Sequence, residues 1–102
     1  MKTLAQIRRE LSAGDFEFTR HAFLRAVERN ISELEIRSVG EQSEVIEEYP
    51  DDKYSPSLLL FGFTRAGRPL HLQVSAADSA KTKIITLYEP DPEDWDGFRT
   101  RR

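Results

Sequence analysis

Apolar side chains recur at helical spacing through the N-terminal part of the chain and switch to alternation after Ser43, so helices precede strands. Leu4, Ile7 and Leu11 share a face and predict a short amphipathic helix over residues 3–12, ended by Gly14. Phe16-Glu17-Phe18 is briefly extended, and Thr19 stands where a cap for a second helix over 20–30 is needed. In that helix Ala22, Phe23, Leu24, Ala26 and Val27 fill one broad arc, the expected core face. His21, Arg25, Glu28 and Arg29 fill the remaining arc without an apolar intruder. Ser32-Glu33-Leu34-Glu35 has the form of a capping box and starts a third helix running to about Val39, with Gly40 as its stop.

The strands follow at Glu44–Tyr49, Leu58–Thr64, Leu70–Ser75 and Thr82–Tyr88. Proline and aspartate in Pro50-Asp51-Asp52 and Ser55-Pro56 make the first connection a long turn, and Arg65-Ala66-Gly67-Arg68 makes the second a hairpin. Pro90 and Pro92 stop the last strand, and Trp95 is expected to fold back as a lid on the core. The predicted class is α+β: two to three N-terminal helices packed on one face of a four-stranded antiparallel meander, in one domain spanning residues 1–102.

Composition narrows the chemistry. With no cysteine and only two histidines, His21 and His71, the chain offers neither disulfides nor a zinc ligand set, so no metal and no cofactor is expected. The N-terminal residues lack the apolar run of a signal peptide and no stretch would span a membrane, which points to the cytoplasm. The net charge of −3 is unevenly spread. Residues 38–54 carry six acidic side chains against one basic, and residues 55–88 carry four basic against one acidic. The acidity therefore sits in a connecting hairpin and in the tail, and the helices and sheet are mildly basic.

Several short motifs occur in a specific order. Thr19-Arg20-His21-Ala22 with Arg25, then Glu28-Arg29-Asn30-Ile31-Ser32, is followed by Val45-Ile46-Glu47-Glu48-Tyr49-Pro50-Asp51-Asp52 and by Arg68-Pro69-Leu70-His71. Ile85-Thr86-Leu87-Tyr88-Glu89-Pro90-Asp91 and Trp95 close the set. Together, over about residues 16–95, they resemble the family called domain of unknown function 4258. The resemblance implies the fold of barnase, EndoU and RelE-like metal-free ribonucleases, and a toxin restrained by an antitoxin protein. RNA is then the expected substrate and the antitoxin the expected partner, with no membrane involved.

Under that resemblance the candidate catalytic residues are His21, Arg25, Arg29, His71 and Tyr88. A metal-free ribonuclease needs a base for the 2′-hydroxyl, an acid for the leaving oxygen and cations on the phosphorane charge. His21, Arg25 and Arg29 are spaced four residues apart along one helical stripe, with His21 the leading candidate for acid/base work and Arg25 and Arg29 the phosphate-binding cations, since arginine grips phosphate bidentately. The competing account is a solvated helix face with Glu28 pairing locally. His71 and Gln73 point to one sheet face, as do Thr86 and Tyr88, so pairing of their strands would make a polar patch. The competing account there is an ordinary wet sheet surface. Arg65, Arg68, Gln73 and Thr86 are the candidate substrate-binding residues, the two arginines flanking a turn where phosphate contacts are common. The acidic run Glu44, Glu47, Glu48, Asp51 and Asp52 reads as a solvated edge strand.

Three functions compete. The first is a toxin-like, metal-independent endoribonuclease of a toxin–antitoxin system. The second is a non-catalytic protein-binding module of the same fold. The third is a regulatory or structural protein that dimerises through its outer sheet edge.

Overall fold

A computed structural model describes residues 1–102. Its elements are α1 (Leu4–Ala13), β1 (Phe16–Phe18), α2 (Arg20–Glu28), α3 (Glu33–Glu41), β2 (Glu44–Tyr49), β3 (Ser57–Phe63), β4 (Pro69–Ser75), β5 (Thr82–Tyr88), β6 (Trp95–Asp96) and β7 (Thr100–Arg101). Each helix begins where a hydroxyl satisfies a free backbone donor. Thr3 Oγ1 accepts from Gln6 N, and Thr19 Oγ1 from Ala22 N, both at 3.1 Å. Ser32 and Glu35 exchange bonds of 2.9 and 3.1 Å in a full capping box. Gly14 ends α1 at φ 80°, a left-handed value that glycine adopts without steric cost.

The main sheet has five strands in the order β1-β5-β4-β3-β2. β2 to β5 form the expected antiparallel meander, but β1 adds a fifth strand parallel to β5, with Phe16 opposite Thr82 and Phe18 opposite Ile84. The sheet is therefore mixed, not four-stranded and antiparallel. Three residues are too few to show alternation, and the partner strand lies at the far end of the chain, so local pattern carries no sign of this pairing.

One sheet face holds the core. Leu58, Leu60, Leu70, Leu72, Val74, Ile84 and Leu87 meet Ile7, Leu11, Ala22, Ala26, Ile36 and Val39 from the three helices. Helix α2 departs from expectation: only Ala22 and Ala26 are buried, while Phe23, Leu24 and Val27 are 55%, 50% and 66% exposed. The helix approaches β5 through its two small residues, which turns its bulky ones outward. Gly40 also lies inside α3 instead of ending it, because the crossing with α1 needs it: a Cβ there would stand 2.3 Å from Leu11 Cβ.

The opposite face is covered by the C-terminal segment. β6 and β7 pair only with each other, and Trp95, only 4% exposed, seats its ring 4.5 Å from that of His71. Trp95 thus folds back as expected, but it lids His71 on the face away from the helices and not the main core cluster.

Ordinarily Gly→Ala inside a helix stabilises by about 0.5–1 kcal/mol. The Leu11 contact reverses that sign, and Gly40→Ala is expected to cost about 1–3 kcal/mol by overpacking, read as a lower urea midpoint with an unchanged slope.

Candidate functional site

Two bulges decide which side chains share the covered face. In β2 the register slips at Ile46, so Val45 stays opposite Leu60 on the helix side while Glu47 and Tyr49 turn to the other face, opposite Leu59 and Ser57. In β5 a slip at Ile85 leaves Ile84 with the helices and brings Thr86 and Tyr88 opposite Gln73 and His71. Without the bulges strict alternation would put Val45, Glu47 and Tyr49 on one face. The result is a polar cluster of Glu47, Tyr49, His71, Gln73 and Tyr88, to which the β7 residue Arg101 is added from above.

His71 is wholly buried and bonded at both ring nitrogens. Its Nε2 lies 2.7 Å from the Phe98 carbonyl, which only accepts, so Nε2 carries the proton. The neutral ring then accepts at Nδ1 from the Tyr88 hydroxyl, 3.1 Å away. Burial pushes the His71 pKa below its ordinary 6.5, against the opposing pull of the Phe98 carbonyl and the Glu47 charge. Burial likewise raises the Tyr88 phenol. At Glu47 burial opposes ionisation, but the Tyr49 hydroxyl, which donates a short hydrogen bond, and the Arg101 guanidinium outweigh it and hold the carboxyl below 4.5. Arg101 Nε lies 3.0 and 3.2 Å from the two Glu47 oxygens, and its guanidinium covers the Trp95 ring at 4.6 Å. Beside this cluster Tyr49, Asp51, Asp52, Gln73 and Arg101 line a cavity of about 590 Å³. Gln73 Nε2 donates to Asp52 and Ser57 at 2.9 and 3.1 Å, fixing the cavity floor.

The sequence-derived candidates divide. His71 and Tyr88 are brought together, and Gln73 and Thr86 lie next to them in register. The patch is not an open wet surface, since the C-terminal segment seals the imidazole. The helical stripe does not act as one unit. His21 is exposed and makes no hydrogen bond, and Arg25 is paired with Glu28 at 2.7 Å. Arg29 instead leans to the sheet edge, where its Nη1 donates to the Leu87 carbonyl at 2.7 Å, and its charge is felt at Tyr88. Arg68 is spent on the scaffold: it bonds Glu89 at 2.8 Å, Glu35 at 3.2 Å and the carbonyls of Arg29 and Asn30 at 2.9 Å. Arg65 is exposed beside a separate cleft lined by Ser12, Arg37 and Thr64. The residues missed were Glu47, Tyr49 and Arg101. Strong alternation hid the first two behind an unseen bulge, and nothing local ties Arg101 to them.

The chain is thus an α+β protein with three helices on one face of a mixed sheet and a polar, titratable cluster on the other. Residues 18–89, more than two thirds of it, match the family described as Domain of unknown function (DUF4258), and the chain belongs to that family. No curated protein and no solved structure matches it. No helix is long and apolar enough to cross a membrane, and no group of histidine and carboxylate side chains is placed to hold a metal ion.

His71 and Glu47 both have lowered native pKa values, so both make the fold acid-sensitive: the unfolded chain takes up protons that the native state refuses. Stability is expected to be fully present above pH 6.5, to fall first as His71 is protonated in the unfolded chain, and to fall again below 4.5. Glu10 and Glu35, also lowered, add to the second stage. In thermal melts from pH 8 to 3 (a range set by ordinary side-chain pKa values of about 4 and 6.5) the first stage should vanish in His71→Gln, and a midpoint constant to below pH 5 would contradict the buried neutral ring.

Proposed function

We propose that this protein is a toxin-like, metal-independent endoribonuclease with a RelE/barnase-like fold, centred on the covered sheet face. The observation that supports it is the coupled cluster of Glu47, Tyr49, His71 and Tyr88, each shifted from its ordinary pKa by burial and by its neighbours. Shifted groups gathered beside a cleft mark proton-transfer sites more often than plain surface does. Here Glu47 takes the proton of an RNA 2′-hydroxyl, and the freed oxygen attacks the adjacent phosphorus. The bond to the 5′ oxygen breaks, and that oxygen receives the Tyr88 phenolic proton once the hydroxyl turns away from His71 Nδ1. A 2′,3′-cyclic phosphate and a 5′-hydroxyl end result, and the proton held by Glu47 returns to Tyr88 through solvent. Arg29, at the sheet edge with donors to spare, faces the phosphate charge.

Wild-type protein in excess EDTA is expected to cut a fluorogenic RNA, and to arrest growth when overproduced without an antitoxin. Tyr88→Phe and Glu47→Gln should each lose about 10²-fold or more, the range of a positioned acid or base. His21→Ala should retain activity. Cleavage that disappears with His21→Ala but survives Tyr88→Phe would move the site to the helix.

One observation favours a second reading, the non-catalytic binding module. Phe23, Leu24 and Val27 form an exposed apolar stripe on α2, of a kind that marks protein contacts. Folded wild-type protein that neither cuts RNA nor arrests growth would leave this reading in place of the first.

A further inference from the structure

We infer that residues 90–102 are a detachable strap that closes the sheet-face site in cis and must lift for RNA to enter. The inference rests on the ribonuclease reading and adds regulation to that site.

The segment is built differently from the elements beneath it. The backbone–backbone bonds of its turns run inside it, from Trp95 and Asp94 to Asp91, from Arg99 to Asp96 and from Arg102 to Asp94. Its two short strands form a sheet of their own and pair with none of the five. It is held down by side chains: Trp95 on His71, Phe98 against Phe61 and Phe63, Arg99 paired with Glu44 and stacked on Phe61, and Arg101 on Glu47. Both ion pairs are largely exposed at their arginine ends, 54% and 61%, so water competes for them. Gly97 and Phe98, at φ 58° and 63°, form the turn between β6 and β7, so the hairpin is closed within the segment itself and can lift as a unit.

What the strap covers is the set of groups the chemistry requires. Its Phe98 carbonyl occupies the His71 Nε2–H, and its Arg101 occupies both oxygens of Glu47. While it lies down, the proposed base is engaged and the imidazole is out of reach of solvent. A tether with a place to bend exists at Glu89-Pro90-Asp91-Pro92, where two prolines exclude any continuation of β5. The family match ends at Glu89, where this tether begins.

The native chain has no cysteine and one tryptophan, which makes the test clean. In Glu44→Cys/Arg99→Cys protein a short, reductively cleavable thiol cross-linker ties the strap to β2, and neither position belongs to the proposed chemistry. Cross-linking is expected to lower RNA cleavage about tenfold or more and reduction to restore it, with acrylamide quenching of Trp95 rising on release. Equal quenching in the tied and released forms means the segment never lifts and overturns the proposal. Cleavage that is the same in both forms overturns it while leaving the nuclease reading intact. Protein that cleaves in neither form, although Trp95 quenching rises on release, overturns the nuclease reading and the gating with it.

Discussion

A neutral imidazole enclosed between a sheet and its covering segment sets the terms for one half of this molecule. His71 has its two ring nitrogens committed in opposite directions, one accepting from Tyr88 in the sheet and one donating to Phe98 above it. A buried polar ring with either partner missing would leave an unsatisfied group at a cost of about 1–3 kcal/mol. The arrangement therefore fixes the tautomer, the orientation of the Tyr88 hydroxyl and the height at which Phe98 can sit. Trp95 and Phe61 close around the ring, so the same contact joins aromatic packing to hydrogen bonding.

Charge completes the site. The acidic strand β2 lies along an exposed sheet edge, and its Glu44 and Glu47 are matched by Arg99 and Arg101. The acidity read as a solvated edge is thus partly neutralised from within the chain. Each exposed pair contributes about 0–1 kcal/mol, so their value is in placement more than in stability. Placement matters because the carboxyl at 47 is kept ionised and the guanidinium at 101 is fixed beside the cavity.

The parts of this structure that follow local rules were legible in the sequence. Thr19 and the Ser32–Glu35 box start helices where their hydroxyls predict, and the meander follows its turns. What escaped depends on geometry that alternation cannot encode. β1 pairs with a strand distant in the chain, Phe16 opposite Thr82, and α2 docks through Ala22 and Ala26 because the sheet comes close there, not because its larger residues lack hydrophobicity. The candidate site divided on the same line. His71 and Tyr88 were placed together by period-two reasoning, which holds because the β5 slip at Ile85 lies before Thr86 and Tyr88. Glu47 and Tyr49 were lost to a one-residue slip, and Arg101 to a segment that folds back without pairing with any strand of the main sheet. Spacing four apart put His21, Arg25 and Arg29 on a stripe, yet each met a different environment: solvent for His21, Glu28 for Arg25 and the Leu87 carbonyl for Arg29.

The two ends of the chain lie outside the family-matched residues, and each covers one side of the same sheet. At the front, α1 is keyed into α3 by Leu11 over Gly40, with the Lys2 ammonium sealed against Glu10, which also accepts from Thr82 at 2.8 Å. At the back, the aromatic hairpin roofs His71. The shared core is in effect a panel with separate shutters, and exchanging or shortening one terminus would redecorate a single side while leaving the other side's packing as it was.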